Sequence, residues 1–298
     1  MSDRSEEDQP VPRPLSEGAP TRRSLSEGHS AARPLAEVNH EPVEPTYRRA
    51  LRLIHFLIRG LIRRDWRDQA KLPQTGGVVV VVNHISNVDP IAVAQYLAFS
   101  GRWGKFLAKD SLFRVPVVGR VLAAAGQIPV HRNSRTAGDA LSTAIEAVRQ
   151  GKCVVVYPEG TITTDPELWP MAGKTGAARI AYATGCPIVP VGQWGAQDVM
   201  YGKKIEFPKL LPRKTFRLIT GDPIRLEPKI GDQVTSAMLV RTTKRTMAVL
   251  TDLVAELRQE NPPKVTVPAD PAALDDSAAL DDPAAPDDPT APEPGGDR

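Results

Sequence analysis

The 298 residues carry a formal net charge of only +3, and that balance hides a basic middle: five arginines face nine acids in residues 1–45 and one faces nine in 265–298, which leaves 32 basic and 17 acidic side chains between them. A folded region that basic expects an anionic partner, whether nucleic acid, anionic lipid or a phosphorylated substrate. With no zinc-ligand spacing, no G-x-x-x-x-G-K-[ST], aromatics at 5% and no run of 18 uncharged apolar residues, nucleic acid binding and a membrane-spanning helix are both set aside.

Residues 1–45 repeat a motif every ten positions: R-P-L-S-E-G at 13–18, R-S-L-S-E-G at 23–28, R-P-L-A-E-V at 33–38. Polar and rich in Pro and Gly, this stretch is expected to be disordered. It is acidic and lacks a signal-peptide pattern, so the chain is expected to fold in the cytoplasm. Residues 46–68 read as one basic amphipathic helix with Thr46 as its cap. Tyr47, Leu51, Ile54, Ile58 and Leu61 form its apolar stripe, seven arginines flank it, and Trp66 suits a headgroup boundary. Such a helix lies in a membrane interface or packs its stripe on the domain, and the two are compatible.

From 76 to 221 strand-like and helix-like stretches alternate. Strands are expected at 78–82, 104–108, 127–131, 153–157, 187–192 and 215–219. Helices are expected at 90–99, 117–125, 134–150 (capped by Asn133 or Ser134) and 174–184, with a closing helix within 232–260. This is a single α/β domain over 46–262 with a mixed, mostly parallel sheet flanked by helices. Cys153 and Cys186, in apolar contexts, read as core thiols. Residues 263–298, with an A-L-D-D-S-A echo every six residues, are expected to be a disordered acidic tail.

The chemistry is expected where the strands end. The five valines of 78–82 run into Asn83 and His84, with Asp89 and Pro90 opening the next helix. If the loop folds back, Asp89 holds one ring nitrogen of His84 and the other faces a cleft as a general base. No G-x-S-x-G elbow supplies a serine, so the hydroxyl to be activated belongs to the substrate. Lys109 and Arg132 follow two further strands and complete a cationic rim if the strands are parallel. Residues 110–120 form an apolar stretch broken by basic residues, either core or the mouth for a greasy chain. After the strand 153–157, Glu159-Gly160-Thr161 offers a glycine that permits close approach and hydroxyls suited to phosphate. Glu159 itself repels phosphate and fits better beside an arginine or the loop's own amides. Lys174 and Arg179 are further phosphate candidates. Cys186-Pro187-Ile188-Val189-Pro190-Val191 reads as an apolar core strand.

The order N-H-I-S-N-V-D, G-Q-I-P-V-H-R, Y-P-E-G-T, P-I-V-P-V over residues 46–230 resembles the glycerolipid acyltransferase family, most of all its lysophosphatidate acyltransferases. The resemblance implies acyl transfer from acyl-CoA or acyl carrier protein to a lysophospholipid hydroxyl, with no other cofactor and no metal. His84 would take the hydroxyl proton and Asp89 would hold its tautomer. Arg132, Glu159, Gly160 and Thr161, with Lys109 and Lys174 nearby, would place the acceptor's phosphate. Pro187, Ile188, Val189 and Pro190 match the block linked to the acyl donor. An N-terminal amphipathic element would dock the protein on the cytoplasmic side of the cell membrane as a peripheral protein.

The third block departs from the family's Phe-Pro-Glu-Gly-Thr-Arg-Ser at Tyr157, Ile162 and Thr163. The missing arginine opens two alternatives for the acceptor, another lysolipid or a lipid-linked sugar. A non-catalytic lipid-binding module on the same fold is the remaining alternative.

Overall fold

The computed structural model of the chain describes residues 34–130, 137–202, 207–227 and 233–262. The first two tenfold repeats, the acidic tail, Arg132 and the expected caps Asn133 and Ser134 lie outside the described residues.

Seven described strands form one sheet: β1 (Ile62–Arg67), β2 (Val78–Val82), β3 (Gly104–Lys109), β4 (Ile128–Val130), β5 (Cys153–Val156), β6 (Ile188–Trp194) and β7 (Lys214–Thr220). Their order is β1-β7-β6-β2-β5-β3-β4, and every pairing is parallel except β6 with β7. β2 lies at the centre, and its five valines are wholly buried because each face of the sheet is covered. Val78, Val80 and Val82 enter one core layer with α2 (Pro45–Ile58) and α3 (Asp89–Phe99). Val79 and Val81 enter the other, against α6 (Ala137–Arg149), α7 (Gly176–Thr184) and α8 (Ser236–Arg258). Cys153 and Cys186 are buried and unbridged, and burial pushes the Cys153 thiol up to about 12.

Two expectations for the N-terminal part are corrected. Residues 34–45 are not a loose tail: Leu35, Val38 and Val43 pack on the core, the Asn39 amide donates to the Ala98 carbonyl at 3.0 Å, and Glu41 accepts from the Trp103 amide at 2.7 Å. The helix expected over 46–68 is really a helix and a strand. Pro45 occupies the first helical turn, Glu44 stands at the cap, and Thr46 sits inside. The helix ends at Ile58, and Ile62–Arg67 pairs in parallel with β7 as the sheet's edge strand. Ile62 and Trp66, four apart, share a face in either geometry, so their spacing did not separate helix from strand.

The stripe of α2 packs inward: Tyr47 and Leu51 are buried and Ile58 rests on the core. A second apolar set, Leu53, Phe56 and Leu57, faces outward at 59–61% exposure. Among the described residues no helix is long and apolar enough to cross a membrane.

Candidate active site

Parallel pairing brings the C-terminal ends of β2, β5, β3 and β4 to one edge, and the loops after β2 and β5 lie side by side there. Asn83 fixes the end of β2. Its side-chain oxygen accepts from the Gln193 amide at 2.9 Å, and its amide group donates to the Gln193 carbonyl at 3.1 Å. The Gln193 side chain returns a bond to the Asn83 carbonyl at 2.7 Å.

The loop then folds back as α3 begins. Asp89, fully buried, accepts from the Ile85 and Ser86 amides at 2.7 and 2.8 Å and lies 2.8 Å from His84 Nδ1, all through Oδ2. Burial pushes the Asp89 carboxyl up, while the His84 ring and the two amides pull it down. Since the carboxylate oxygen already receives two N–H groups, Nδ1–H is the third donor, which leaves the Nε2 lone pair free. The His84 ring stacks on Tyr157 with centroids 4.3 Å apart, and its side chain keeps 17% exposure. A ring held on one edge and one face, yet open to solvent, is oriented for proton transfer.

The backbone of His84 is held from the other side by the loop after β5. Glu159 Oε1 accepts from the His84 amide at 3.0 Å and Oε2 from the Met171 amide at 3.0 Å. Burial pushes the Glu159 carboxyl up to about 7, against the pull of those two amides and of His84. The Thr163 amide donates to the His84 carbonyl at 2.7 Å, and the Thr163 hydroxyl donates to the Trp169 carbonyl at 2.9 Å. Glu159 thus fastens two loops together rather than facing a phosphate.

Gly160 takes a positive φ of 69°, and its amide is spent on the Tyr157 carbonyl at 3.0 Å. A Cβ there would touch Lys174 Cε at 3.6 Å, so this exposed lysine runs alongside the loop. Thr161 is half-buried beside it, and Ile162 is buried where an arginine was expected. Lys109 is exposed at the end of β3, on the edge that carries His84, and Arg179 is exposed on α7. Ile188, Val189 and Pro190 are buried in β6, and Pro187 is half-buried at its start; Gln193, at the strand's far end, bonds Asn83.

Three features went unread in the sequence: the Asn83–Gln193 exchange, the Tyr157 ring under His84, and Arg258. The last is held on α8 by Trp169 and Trp194, its guanidinium carbon 3.9 and 4.5 Å from the two rings. All three bridge residues far apart in the chain, and only the polar types at strand ends hinted at them.

A family model described as acyltransferase matches residues 63–194. A chloroplastic 1-acyl-sn-glycerol-3-phosphate acyltransferase of Brassica napus is 35% identical over 123 residues, 41% of this chain and 34% of that protein. The 1-acyl-sn-glycerol-3-phosphate acyltransferase of Borreliella burgdorferi is 35% identical over 121 residues, 40% of this chain and 46% of that protein. The chain therefore spans less than half the length of these two relatives. Human 1-acyl-sn-glycerol-3-phosphate acyltransferase alpha is 30% identical over 199 residues, 63% of this chain and 67% of that protein. The crystal structure of the 1-acyl-sn-glycerophosphate acyltransferase PlsC from Thermotoga maritima shares the fold, with a TM-score of 0.54 and 24% identity over 76% of this chain and 80% of that one.

Proposed function

This chain belongs to the acyltransferase family, and on that footing we propose that it moves a fatty acyl group from acyl-CoA or acyl carrier protein to the free hydroxyl of 1-acylglycerol-3-phosphate, giving phosphatidic acid. The observation that carries the reading is the His84–Asp89 pair at 2.8 Å, with the open side of the imidazole at the sheet's edge.

In this reading His84 Nε2 takes the proton from the acceptor hydroxyl as its oxygen attacks the thioester carbonyl. The C–O bond forms, the tetrahedral intermediate collapses, the C–S bond breaks, and the imidazolium returns the proton to the departing thiolate. Asp89 holds the ring's tautomer and offsets the charge of the imidazolium. The Lys174 ammonium beside Gly160, with the Thr161 hydroxyl and Lys109, faces the acceptor's phosphate. The protein works as a peripheral protein on the cytoplasmic side of the cell membrane. The outward face of α2 (Leu53, Phe56, Leu57) enters the bilayer interface, and the helix's arginines meet anionic headgroups.

The buried Ile162 favours a second reading of the acceptor, because it removes one cation from the phosphate's expected place. Another lysolipid or a lipid-linked sugar then takes the acyl group. The test offers purified protein a panel of lysolipids with a long-chain acyl-CoA and follows free thiol release. Fastest release with 1-acylglycerol-3-phosphate is expected. Preference for a different acceptor selects the second reading, and release with none of them leaves a lipid-binding module without chemistry.

A further inference from the structure

The exposed large apolar side chains of the described residues are not scattered. They lie on the last turns of α2, the start of α3, the segment from α4 (Asp110–Phe113) into α5 (Val118–Ala124), and the β6–β7 connection. All of these elements leave or enter the sheet edge that carries His84. The two most exposed, Phe207 at 93% and Leu211 at 76%, belong to the β6–β7 connection.

We propose that residues 207–213 are a second membrane-inserting contact, whose occupant is an anionic lipid bilayer, and that with α2 they hold the His84 edge flat against the headgroups. This rests on the reading of the protein as a membrane-surface acyltransferase.

The segment is pinned, not loose. Leu210 packs on the core between the two exposed side chains, and the Lys209 amide donates to the Val199 carbonyl at 2.8 Å. It adjoins the end of α2: the Arg213 guanidinium donates to the Arg59 and Ile62 carbonyls at 3.3 and 3.5 Å. Residues 207–217 carry Lys209, Arg213, Lys214 and Arg217 and no acid, so the surface suits anionic headgroups around two inserted apolar side chains. The start of the same connection reaches the catalytic loop. The Ser86 hydroxyl donates to the Met200 carbonyl at 2.6 Å, and the Asn87 side chain donates to the Gly202 carbonyl at 3.3 Å. Ser86 and Asn87 lie between His84 and Asp89, so insertion of this segment sets the height of the imidazole above the bilayer. A lysolipid hydroxyl, which sits at the headgroup level, then meets Nε2 without leaving the membrane.

The test uses vesicles of phosphatidylcholine mixed with phosphatidylglycerol. The variant F207S/L211S should bind them about ten-fold or more weakly, as expected from losing two inserted side chains. Its rate on a short-chain, monodisperse lysolipid should stay at the unsubstituted level. Because both side chains are exposed, the fold should survive, and F207W gives a second measurement. Its added fluorescence should shift to the blue on vesicle binding and be quenched by lipids brominated along the acyl chain. Unchanged vesicle binding in the serine variant, or an added tryptophan that stays in water, overturns the proposal. Phe207-dependent binding by a protein that releases no thiol with any acceptor would leave this contact standing and remove the enzymatic reading instead.

Discussion

The central strand β2 has a buried polar residue near each end, and the two are built to different rules. At its N-terminal end the wholly buried Arg102 donates to the carbonyls of Pro73, Gly76 and Gly151 at 2.5–2.8 Å and pairs with Glu41 at 3.4 Å. Three loops are tied by one side chain whose hydrogen-bonding capacity is nearly used up. At the C-terminal end the same density of polar groups leaves capacity over. Among the described residues Asp89 Oδ1, the Tyr157 hydroxyl and Gln193 Oε1 are buried without a hydrogen-bond partner, and the His84 side chain keeps 17% exposure. A saturated node can only hold structure; an unsaturated one with an open ring can do chemistry.

Substitution at the two nodes should separate these roles. His84→Ala is expected to cost ~10²–10⁴ in rate with only a modest fall in thermal midpoint, because Asp89 Oδ2 loses the ring but keeps the Ile85 and Ser86 amides. Arg102→Leu is expected to do the reverse. It leaves three buried carbonyls unpaired and takes one of two donors from Glu41 Oε2, which keeps the Trp103 amide, and urea unfolding should show a loss of ~3–5 kcal/mol. Rate per folded molecule should be retained. A large activity loss in the Arg102 variant at a temperature where it is folded would break the comparison.

Glu159 sharpens it from within the His84 end. Its carboxyl is raised to about 7 by burial, so between about 4.5 and about 7 the folded chain keeps a proton that the unfolded chain has released. The stability this contributes is present in full below about 4.5 and is lost as pH rises through about 7. Glu159→Gln should flatten that part of the stability curve, seen by following thermal midpoints of both proteins across the same pH range. An unaltered slope in the glutamine variant would place the proton elsewhere.

What could be read in the sequence follows the same division. The valine run, His84 and Asp89 lie within twelve residues, and their pairing is a local fold-back announced by Pro90. β2, β5 and β6 were legible because each is a short run rich in valine or isoleucine beside helix periodicity. β1 was not, because Ile62 and Trp66 satisfy both periods and only the distant β7 decides between them. The outward apolar set of α2 was not singled out in the sequence, for a related reason. The longer stripe from Tyr47 found a place in the core, and the shorter set at Leu53, Phe56 and Leu57 was left outside. Arg102 gave no sign at all, since nothing about an arginine in S-G-R-W shows that three loops will converge on it.

Arg258 carries the smallest expected effect and tests whether the His84 end is held from a distance. Its side chain lies between the Trp169 and Trp194 rings and donates to the Glu167 carbonyl at 2.7 Å. Leu168, between Glu167 and Trp169, takes a φ of 64°, a conformation that costs a bulky residue ~1–3 kcal/mol and persists only where neighbours enforce it. From Trp169 the path runs through the Thr163 hydroxyl to the Thr163 amide and so to the His84 carbonyl. Arg258→Ala removes the stack, worth ~1 kcal/mol, and lets Leu168 relax. If that relaxation reaches His84, kcat should fall about five-fold with KM for the acceptor unchanged. Arg258→Lys keeps the charge without the planar stack and should recover only part of it. A fall in thermal midpoint with kcat intact would confine Arg258 to packing and leave His84 fixed by its direct partners Asp89, Tyr157, Glu159 and Thr163.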